Sequence, residues 1–235
     1  GQGTTSSNTS GSITSTVSVN QSAGFSIVTY TGSGANATVG HGLGVAPKFV
    51  IVKTRSVGTY DWCVYHSSLT SASYYIPLNN TSAQTLSTNV WNATAPTSSV
   101  FSIGTSVATN QSSQTLVAYC WSEVAGYSKF GSYTGNGSAD GPFVYCGFLP
   151  RFVLIKSSSA VEQWNIIDTS RNPYNTTTYD LVPSSSAAES TSAALIDVTA
   201  NGFKLRFAGT PLNTSSGTYI FAAFAENPFN ISRAR

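Results

Sequence analysis

Short apolar runs separated by Gly, Asn, Ser and Pro recur along the chain from Phe25 onward. The runs at 49–52 and 152–155 are mostly β-branched or aromatic and are too short for helices, which indicates buried strands. Segments 62–66 and 164–168 follow these runs after polar turns, an arrangement typical of hairpin partners. Helical periodicity is nearly absent. The pattern therefore predicts an all-β fold with about five to seven strands in each half of the chain.

The sequence also repeats itself after 103 residues. YTGSG at 30–34 recurs as YTGNG at 133–137, and PKFV at 47–50 recurs as PRFV at 150–153. Because a constant spacing over this length indicates two copies of one structural unit, we predict two tandem repeats of about 100 residues, each a β-sandwich. A single composite sandwich or barrel built from both copies is the alternative, since the junction between them is short.

The repeat and the composition divide the chain into three parts. Residues 1–24 are rich in Ser, Thr, Gly and Asn, and we expect them to form an extended arm or linker with room for one strand. The two sandwich repeats are expected at 25–126 and 127–235. The chain contains no Met, and we expect it to be the C-terminal part of a longer protein.

Charge is scarce in this sequence. Only 9% of the residues are charged, with 11 Lys plus Arg against 9 Asp plus Glu, so the surface must consist largely of Ser, Thr, Asn and Gly. A net charge of +2 without basic clusters gives no electrostatic footprint for nucleic acid. No apolar run approaches the roughly 20 residues that span a bilayer. We therefore expect neither nucleic-acid binding nor membrane insertion.

The sequence lacks the motifs that mark common enzyme and metal sites. It has no Gly-x-Ser-x-Gly elbow, no His-Glu-x-x-His and no Cys-x-x-Cys, and its nine acidic residues are scattered singly. Cys63, Cys120 and Cys146 show no metal-like spacing, and we expect them to stay free thiols. The prediction is a protein that is not an enzyme, with no catalytic residue, no metal and no cofactor.

Two Lys and Glu combinations recur in a chain that otherwise avoids charge. Lys53 and Glu123 in the first repeat match Lys156 and Glu226 in the second. We predict that each Lys pairs with its Glu across neighbouring strands. Such a pair has a structural role and contributes at most about 1 kcal/mol where it is exposed.

Residues that occur in one repeat only are the candidates for binding. His41 lies in a glycine-dense loop whose backbone freedom suits the close approach of a ligand or another chain, although a turn histidine without a ligand is the alternative. Unmatched aromatic residues could form a sugar-stacking or contact surface, or could pack in the interior. These aromatic candidates are Tyr60, Tyr65, Tyr74, Tyr75, Trp91 and Tyr174.

The run TVGHGLGVAPKFVIVK at 38–53 resembles a family of duplicated C-terminal β domains in virion structural proteins of tailed phages, many of them marine. The segments at 131–137 and 224–229 are similar to the same family, and the likeness covers residues 12–235. The resemblance implies an extracellular particle component that assembles in many copies with other virion proteins. It implies no known active site.

The resemblance leaves two roles open. As a tail-fibre or spike domain, the chain would bind a host-surface glycan or protein as a homo-oligomer, with a trimer favoured. As a capsid fibre or decoration protein, it would have a purely structural role. A secreted carbohydrate-binding module is a third alternative, since it shares the polar β-sandwich and the aromatic residues. We favour the fibre role.

Overall fold

The computed structural model describes residues 4–227, without the side chains of residues 192 and 193. This part is 45% strand and 4% helix, which confirms the predicted all-β fold. Among these residues, no helix is long and apolar enough to cross a membrane. Two compact units are present: unit 1 holds residues 4–78 and 84–123, and unit 2 holds 79–83 and 124–227.

Unit 1 is built from antiparallel strands with two one-turn helices. Its elements are β1 (Ser6–Asn8), β2 (Ser15–Asn20), β3 (Phe25–Thr31), β4 (Ala37–Gly40), β5 (Phe49–Thr54), β6 (Cys63–His66), β7 (Tyr74–Pro77), β8 (Thr85–Leu86), α1 (Thr88–Trp91), β9 (Val100–Ile103), α2 (Val107–Asn110) and β10 (Thr115–Trp121). The larger sheet has the order β1-β2-β3-β10-β5-β6-β7-β8, and the smaller sheet pairs β4 with β9. The predicted arm therefore contributes two strands to a sheet.

The two sheets of unit 1 enclose one apolar core. Alternate residues of β3, such as Val28 and Tyr30, are buried, and they pack in the same cluster as Val39 and Phe101 of the smaller sheet. Side chains that alternate between two faces fill the space between two sheets, which is the packing of a β-sandwich.

Unit 2 consists of strands alone within the part of the chain that the structure describes. Its strands are β11 (Ser128–Thr134), β12 (Phe143–Tyr145), β13 (Pro150–Ser157), β14 (Trp164–Asp168), β15 (Thr177–Asp180), β16 (Ser190–Thr199), β17 (Gly202–Leu205) and β18 (Thr218–Ala225). They form two antiparallel four-stranded sheets in the orders β11-β18-β13-β14 and β12-β17-β16-β15. Residues of both sheets share one core cluster, among them Tyr133, Ile155, Phe203 and Phe221.

The two units contain the same run of four strands. Unit 1 has β3-β10-β5-β6 and unit 2 has β11-β18-β13-β14, and the first strands begin 103 residues apart at Phe25 and Ser128. The division between the units falls between Glu123 and Val124, and unit 2 also includes residues 79–83, which precede β8 in the chain. Duplication of an ancestral unit stays a prediction from the sequence.

The repeated Tyr-Thr-Gly-x-Gly motif supplies a buried tyrosine in each unit. The Tyr30 hydroxyl donates to the carbonyl oxygen of Thr109 at 2.6 Å, and the Tyr133 hydroxyl donates to the carbonyl oxygen of Leu212 at 2.7 Å. The first glycine has no room for a side chain, since a Cβ atom on Gly32 would lie 2.2 Å from a backbone oxygen. The motif is thus required by the packing of the scaffold.

A fully buried asparagine fixes the loop that follows the motif. In unit 1, Asn110 Oδ1 accepts from the Ser33 backbone N at 2.7 Å, and its Nδ2 donates to the carbonyl oxygens of Ala35 (2.6 Å) and Gly104 (2.7 Å). These backbone groups would otherwise lack a partner in a buried environment, which is costly in free energy.

Unit 2 contains the equivalent arrangement 103 residues later. Asn213 Oδ1 accepts from the Asn136 backbone N at 2.8 Å, and Asn213 Nδ2 donates to the carbonyl oxygen of Ser138 at 2.7 Å. The buried asparagine in each unit was not among the residues selected from the sequence.

The repeated lysines bind hairpin loops, which corrects the predicted Lys–Glu pairs. Lys53 Nζ donates to the carbonyl oxygens of Gly58 (3.3 Å) and Tyr60 in the β5–β6 loop. The register of β10 sets Val117 opposite Lys53. Glu123 lies six residues after Val117, up to about 20 Å along an extended chain, so it is not the cross-strand partner.

In unit 2, Lys156 is fully buried and binds carbonyl oxygens in the same way. Its Nζ donates to the carbonyl oxygens of Ser157 (2.8 Å), Thr81 (3.3 Å) and Ala160 (3.4 Å). The predicted pair with Glu226 is therefore wrong. The lysine instead joins the β13–β14 loop to the 79–83 segment of unit 2.

The first prediction concerns the buried asparagine. We expect Asn213→Ala to lower the free energy of unfolding by about 3 kcal/mol, because it leaves buried backbone groups without hydrogen-bond partners. Urea unfolding followed by tryptophan fluorescence measures this loss. Asn201→Ala is the matched control, since Asn201 is exposed and, among the described residues, its side chain makes one long contact, at 3.4 Å with Thr199. Equal stability of the two variants would contradict the assigned role.

The second prediction concerns pH. Burial lowers the pKa of Lys156 from 10.5 to about 8, and the negative charge of Glu162 offsets only part of this effect. Between pH 8 and 10.5 the unfolded chain then binds more protons than the folded protein, so the contribution of Lys156 to stability rises with pH.

Comparison with Lys156→Met isolates this contribution from that of other titrating groups. We expect the free energy of unfolding of the parent protein, relative to Lys156→Met, to increase by about 1 kcal/mol between pH 7 and pH 9. Lys53→Met serves as the control for loss of a loop-binding lysine. If the parent protein and Lys156→Met keep a constant difference across this range, the buried ammonium does not behave as described.

Candidate functional site

The structure buries three of the sequence-predicted binding residues. His41 is fully buried; its Nε2 lies 3.1 Å from the carbonyl oxygen of Thr97, and its Nδ1 accepts from the Leu43 backbone N at 3.2 Å. Nδ1 is therefore the unprotonated nitrogen, and Nε2 donates. Burial lowers the pKa of His41, which a hydrogen bond to Thr97 only partly offsets. This histidine stabilises its own loop and is not available to a ligand.

Tyr65 and Trp91 belong to the core of unit 1. Their rings meet edge to face with centroids 6.0 Å apart, and both side chains are buried. Such aromatic pairs stabilise a core, and a buried ring cannot stack on an external sugar. The interpretation of these two residues as an exposed surface is therefore wrong.

Tyr60, Tyr74 and Tyr75 are half-buried. Tyr60 lies in the β5–β6 loop, where its carbonyl oxygen accepts from Lys53. Tyr74 and Tyr75 lie side by side in β7, and Tyr75 packs against the core. A contact role for these three residues stays a prediction.

Tyr174 is the most exposed of the predicted aromatic residues. Its side chain is 81% exposed, and it lies in the loop between β14 and β15 of unit 2. A cleft of about 240 Å³ lies beside it and includes the neighbouring residues of the same loop. The residues that line this loop-end cleft are Leu149, Arg151, Thr169, Asn172, Pro173, Asn175, Val198 and Glu226.

Hydrogen bonds fix the loop that carries Tyr174. Asn175 Nδ2 donates to the carbonyl oxygen of Val198 at 2.7 Å, and the Val198 backbone N donates to Asn175 Oδ1 at 2.8 Å. The Asn175 side-chain amide thus forms with β16 the two backbone hydrogen bonds that a neighbouring strand would form. The arrangement attaches the far end of the loop to the sheet.

An ion-pair network fixes the other end of the loop. Arg171 Nε lies 2.6 Å from Asp168 Oδ2, and Arg171 Nη1 lies 2.6 Å from Glu189 Oε1. Arg171 Nη2 also donates to the carbonyl oxygen of Ile166 at 3.0 Å. Burial alone would raise the pKa of Asp168, but the hydrogen bonds and charge of Arg171 outweigh it and lower that pKa. Hydrogen bonds and ion pairs therefore hold both ends of the loop that carries Tyr174.

The cleft offers polar groups with unused hydrogen-bonding capacity. The Thr169 hydroxyl oxygen is buried and has no hydrogen-bond partner among the described residues. Arg151 Nη1 and Glu226 Oε1 are 3.9 Å apart, beyond ordinary hydrogen-bond distance, and both side chains are partly exposed. A ligand hydroxyl could donate to Glu226 and accept from Arg151.

The chemistry of this cleft suits binding of a polar, hydroxyl-bearing molecule. Leu149, Pro173 and Val198 supply apolar wall, and Tyr174, between the lining residues Pro173 and Asn175 in the chain, carries an exposed ring. In residues 4–227, no group of three or more His, Cys, Asp or Glu side chains could hold a metal ion.

Sequence reasoning identified Tyr174 but missed the rest of the cleft. Thr169, Asn172 and Asn175 could not be recognised as cleft residues, because Thr and Asn are common throughout the chain. Arg151 was assigned to a repeated motif, and Glu226 was assigned to a predicted ion pair. Only the unmatched tyrosine indicated this loop.

Comparison with known proteins gives a family and no activity. Residues 1–228 match the family model DUF7483, described as a domain of unknown function. No curated protein and no solved structure matches the chain. Because the family match covers nearly all of the sequence, this chain belongs to the DUF7483 family.

Proposed function

We propose that this chain is a domain of a tailed-phage virion structural protein, in a tail fibre or spike, that attaches the particle to a host surface. The ligand is a surface glycan bound in the loop-end cleft of unit 2. The motifs at 38–53 and 131–137 support the virion assignment through their resemblance to such proteins. The DUF7483 family itself names no activity.

The observation that carries the proposal is the combination of Tyr174 with the cleft beside it. A sugar ring has an apolar face and a rim of hydroxyl groups. The exposed Tyr174 ring matches the face, and the Thr169, Arg151 and Glu226 side chains match the hydroxyls. Both ends of the Tyr174 loop are held by hydrogen bonds, so little ordering entropy is lost on binding.

The scarcity of charge agrees with this role. With 9% charged residues, the protein lacks the strong field that would attract a charged ligand over distance. A small cleft binds one sugar unit weakly. Many copies on one particle raise the effective affinity through multivalency, as attachment to a surface requires.

The third prediction tests the cleft. We expect the protein to bind members of an array of bacterial surface polysaccharides, and we expect Tyr174→Ala to weaken that binding about tenfold through loss of ring stacking. Thr169→Val, which keeps the shape and removes the hydroxyl, should weaken it as well. Tyr145→Ala is the matched control, because Tyr145 is 64% exposed and lies outside the cleft.

Two results would overturn the proposal. Absence of binding across the array would favour a purely structural role, as in a capsid fibre or decoration protein. Equal binding by Tyr174→Ala and the parent protein would assign the glycan to another surface. Immunogold labelling of phage particles locates the chain on the tail or on the capsid, and absence from both would favour a secreted carbohydrate-binding module.

A further inference from the structure

The outer edge of β12 in unit 2 has unpaired backbone groups. β12 pairs with β17 in a register that sets Val144 opposite Phe203. Backbone hydrogen bonds join Leu205 N to the Pro142 carbonyl oxygen at 3.1 Å and Cys146 N to the Asn201 carbonyl oxygen at 2.9 Å. Hydrogen-bonded pairs alternate along antiparallel strands. The N–H and C=O groups of residues 143 and 145 therefore point away from β17.

This open edge is two residues long. Among residues 4–227, no hydrogen bond involves the outward N–H and C=O groups of Phe143 or Tyr145. The carbonyl oxygen of Gly141, the next residue of the same parity, is already bound by Lys204 Nζ at 2.9 Å. Lys204 Nζ also lies 2.9 Å from Asp140 Oδ1, so an ion pair ends the edge on this side.

The side chains of the open edge are aromatic and exposed. Phe143 is 47% exposed and Tyr145 is 64% exposed, whereas Val144 between them is buried. Side chains two apart on a strand lie on one face, so the two rings stand side by side on the outer face of the sheet. Exposed aromatic residues side by side on an edge strand favour association with another strand.

The equivalent edge in unit 1 is covered by the chain itself. Ile13 N donates to the carbonyl oxygen of Thr38 at 3.0 Å, and Ser15 Oγ donates to that of Gly40 at 2.8 Å. A Cβ atom on Gly40 would lie 2.0 Å from Asn8 Oδ1, so a side chain at this position would displace the Asn8 side chain of the arm. The residue 103 positions after Gly40 is Phe143, whose outward backbone groups have no such cover among the described residues.

We propose that β12 pairs with β12 of a second copy of this chain, antiparallel, about a two-fold axis through Val144. In this register Phe143 lies opposite Tyr145 of the partner subunit, and Tyr145 lies opposite Phe143 of the partner subunit. Both residues of each pair have outward N–H and C=O groups, so the pairing forms four backbone hydrogen bonds. An isologous contact needs such a self-complementary surface.

Aromatic contacts and charge favour the same register. Each directly opposed pair sets a phenylalanine against a tyrosine on the exposed face, which is a stabilising cross-strand combination. The Lys204–Asp140 ion pair lies at the end of the open edge and limits slippage to other registers. The β12-β17-β16-β15 sheets of the two copies would become one sheet of eight strands.

The contact is weak in isolation. Three residues on each side bury far less than the roughly 1,200 Å² that specific stable complexes reach. Pairing therefore operates where copies are concentrated, and it does not rest on the proposed glycan binding. It is also independent of the three-fold association expected for a fibre.

Disulfide trapping tests the register directly, as the fourth prediction. Residues 143 and 145 of paired copies have Cα atoms about 5.5 Å apart, which permits a disulfide. We expect a mixture of Phe143→Cys and Tyr145→Cys proteins to form a cross-linked dimer under mild oxidation at least tenfold faster than either variant alone. The native Cys63, Cys120 and Cys146 are buried and do not compete.

Amide hydrogen exchange gives an independent readout. The N–H groups of residues 143 and 145 should gain protection as protein concentration rises, and Tyr145→Lys should abolish the gain. Tyr174→Lys, at a position of comparable exposure, should keep it. Cross-linking of the mixture no faster than that of the single variants, or protection independent of concentration, would overturn the proposal. Protection that depends on added glycan would assign the edge to a sugar instead.

Discussion

In each unit, one fully buried asparagine side chain hydrogen-bonds backbone groups of the loop after the first strand of the shared four-strand sheet. Asn110 and Asn213 bind both N–H and C=O groups of this loop. The loop connects one sheet of the sandwich to the other, so its backbone must turn in a region that excludes water. Because an unpaired amide is costly in such a place, the asparagine stabilises this crossing between the sheets.

The shared scaffold carries different surfaces in the two units. Unit 1 uses its arm, its short helices and buried aromatic residues such as Trp91 to complete its core. Unit 2 builds its second sheet from four strands and leaves a fixed loop, with Tyr174 at its surface. The candidate binding groups therefore lie in unit 2.

Sequence patterns were sufficient for the fold class and for two strands of each four-strand sheet, β5 and β6 in unit 1 and β13 and β14 in unit 2, since a short run of β-branched and aromatic residues is a local signal. They failed where burial depends on distant segments. His41 was selected for its flexible loop, but the structure closes that loop around it. The lysine partners were wrong because strand register separates Lys53 from Glu123. Phe143 and Tyr145 were not among the candidates, because their exposure at the edge of a sheet depends on the order of the strands, which the sequence does not show.

The arm that covers β4 also limits how many copies can join through their sheet edges. Each copy covers this edge in unit 1 with its own residues, and the matching edge in unit 2 is the one that stays open. Copies with both of these edges open could pair edge to edge without limit, as aggregating sheets do. With the β4 edge covered, an encounter with a second copy through β12 occupies the remaining edge of this pair. The arm over β4 would therefore stop assembly through β12 at two copies.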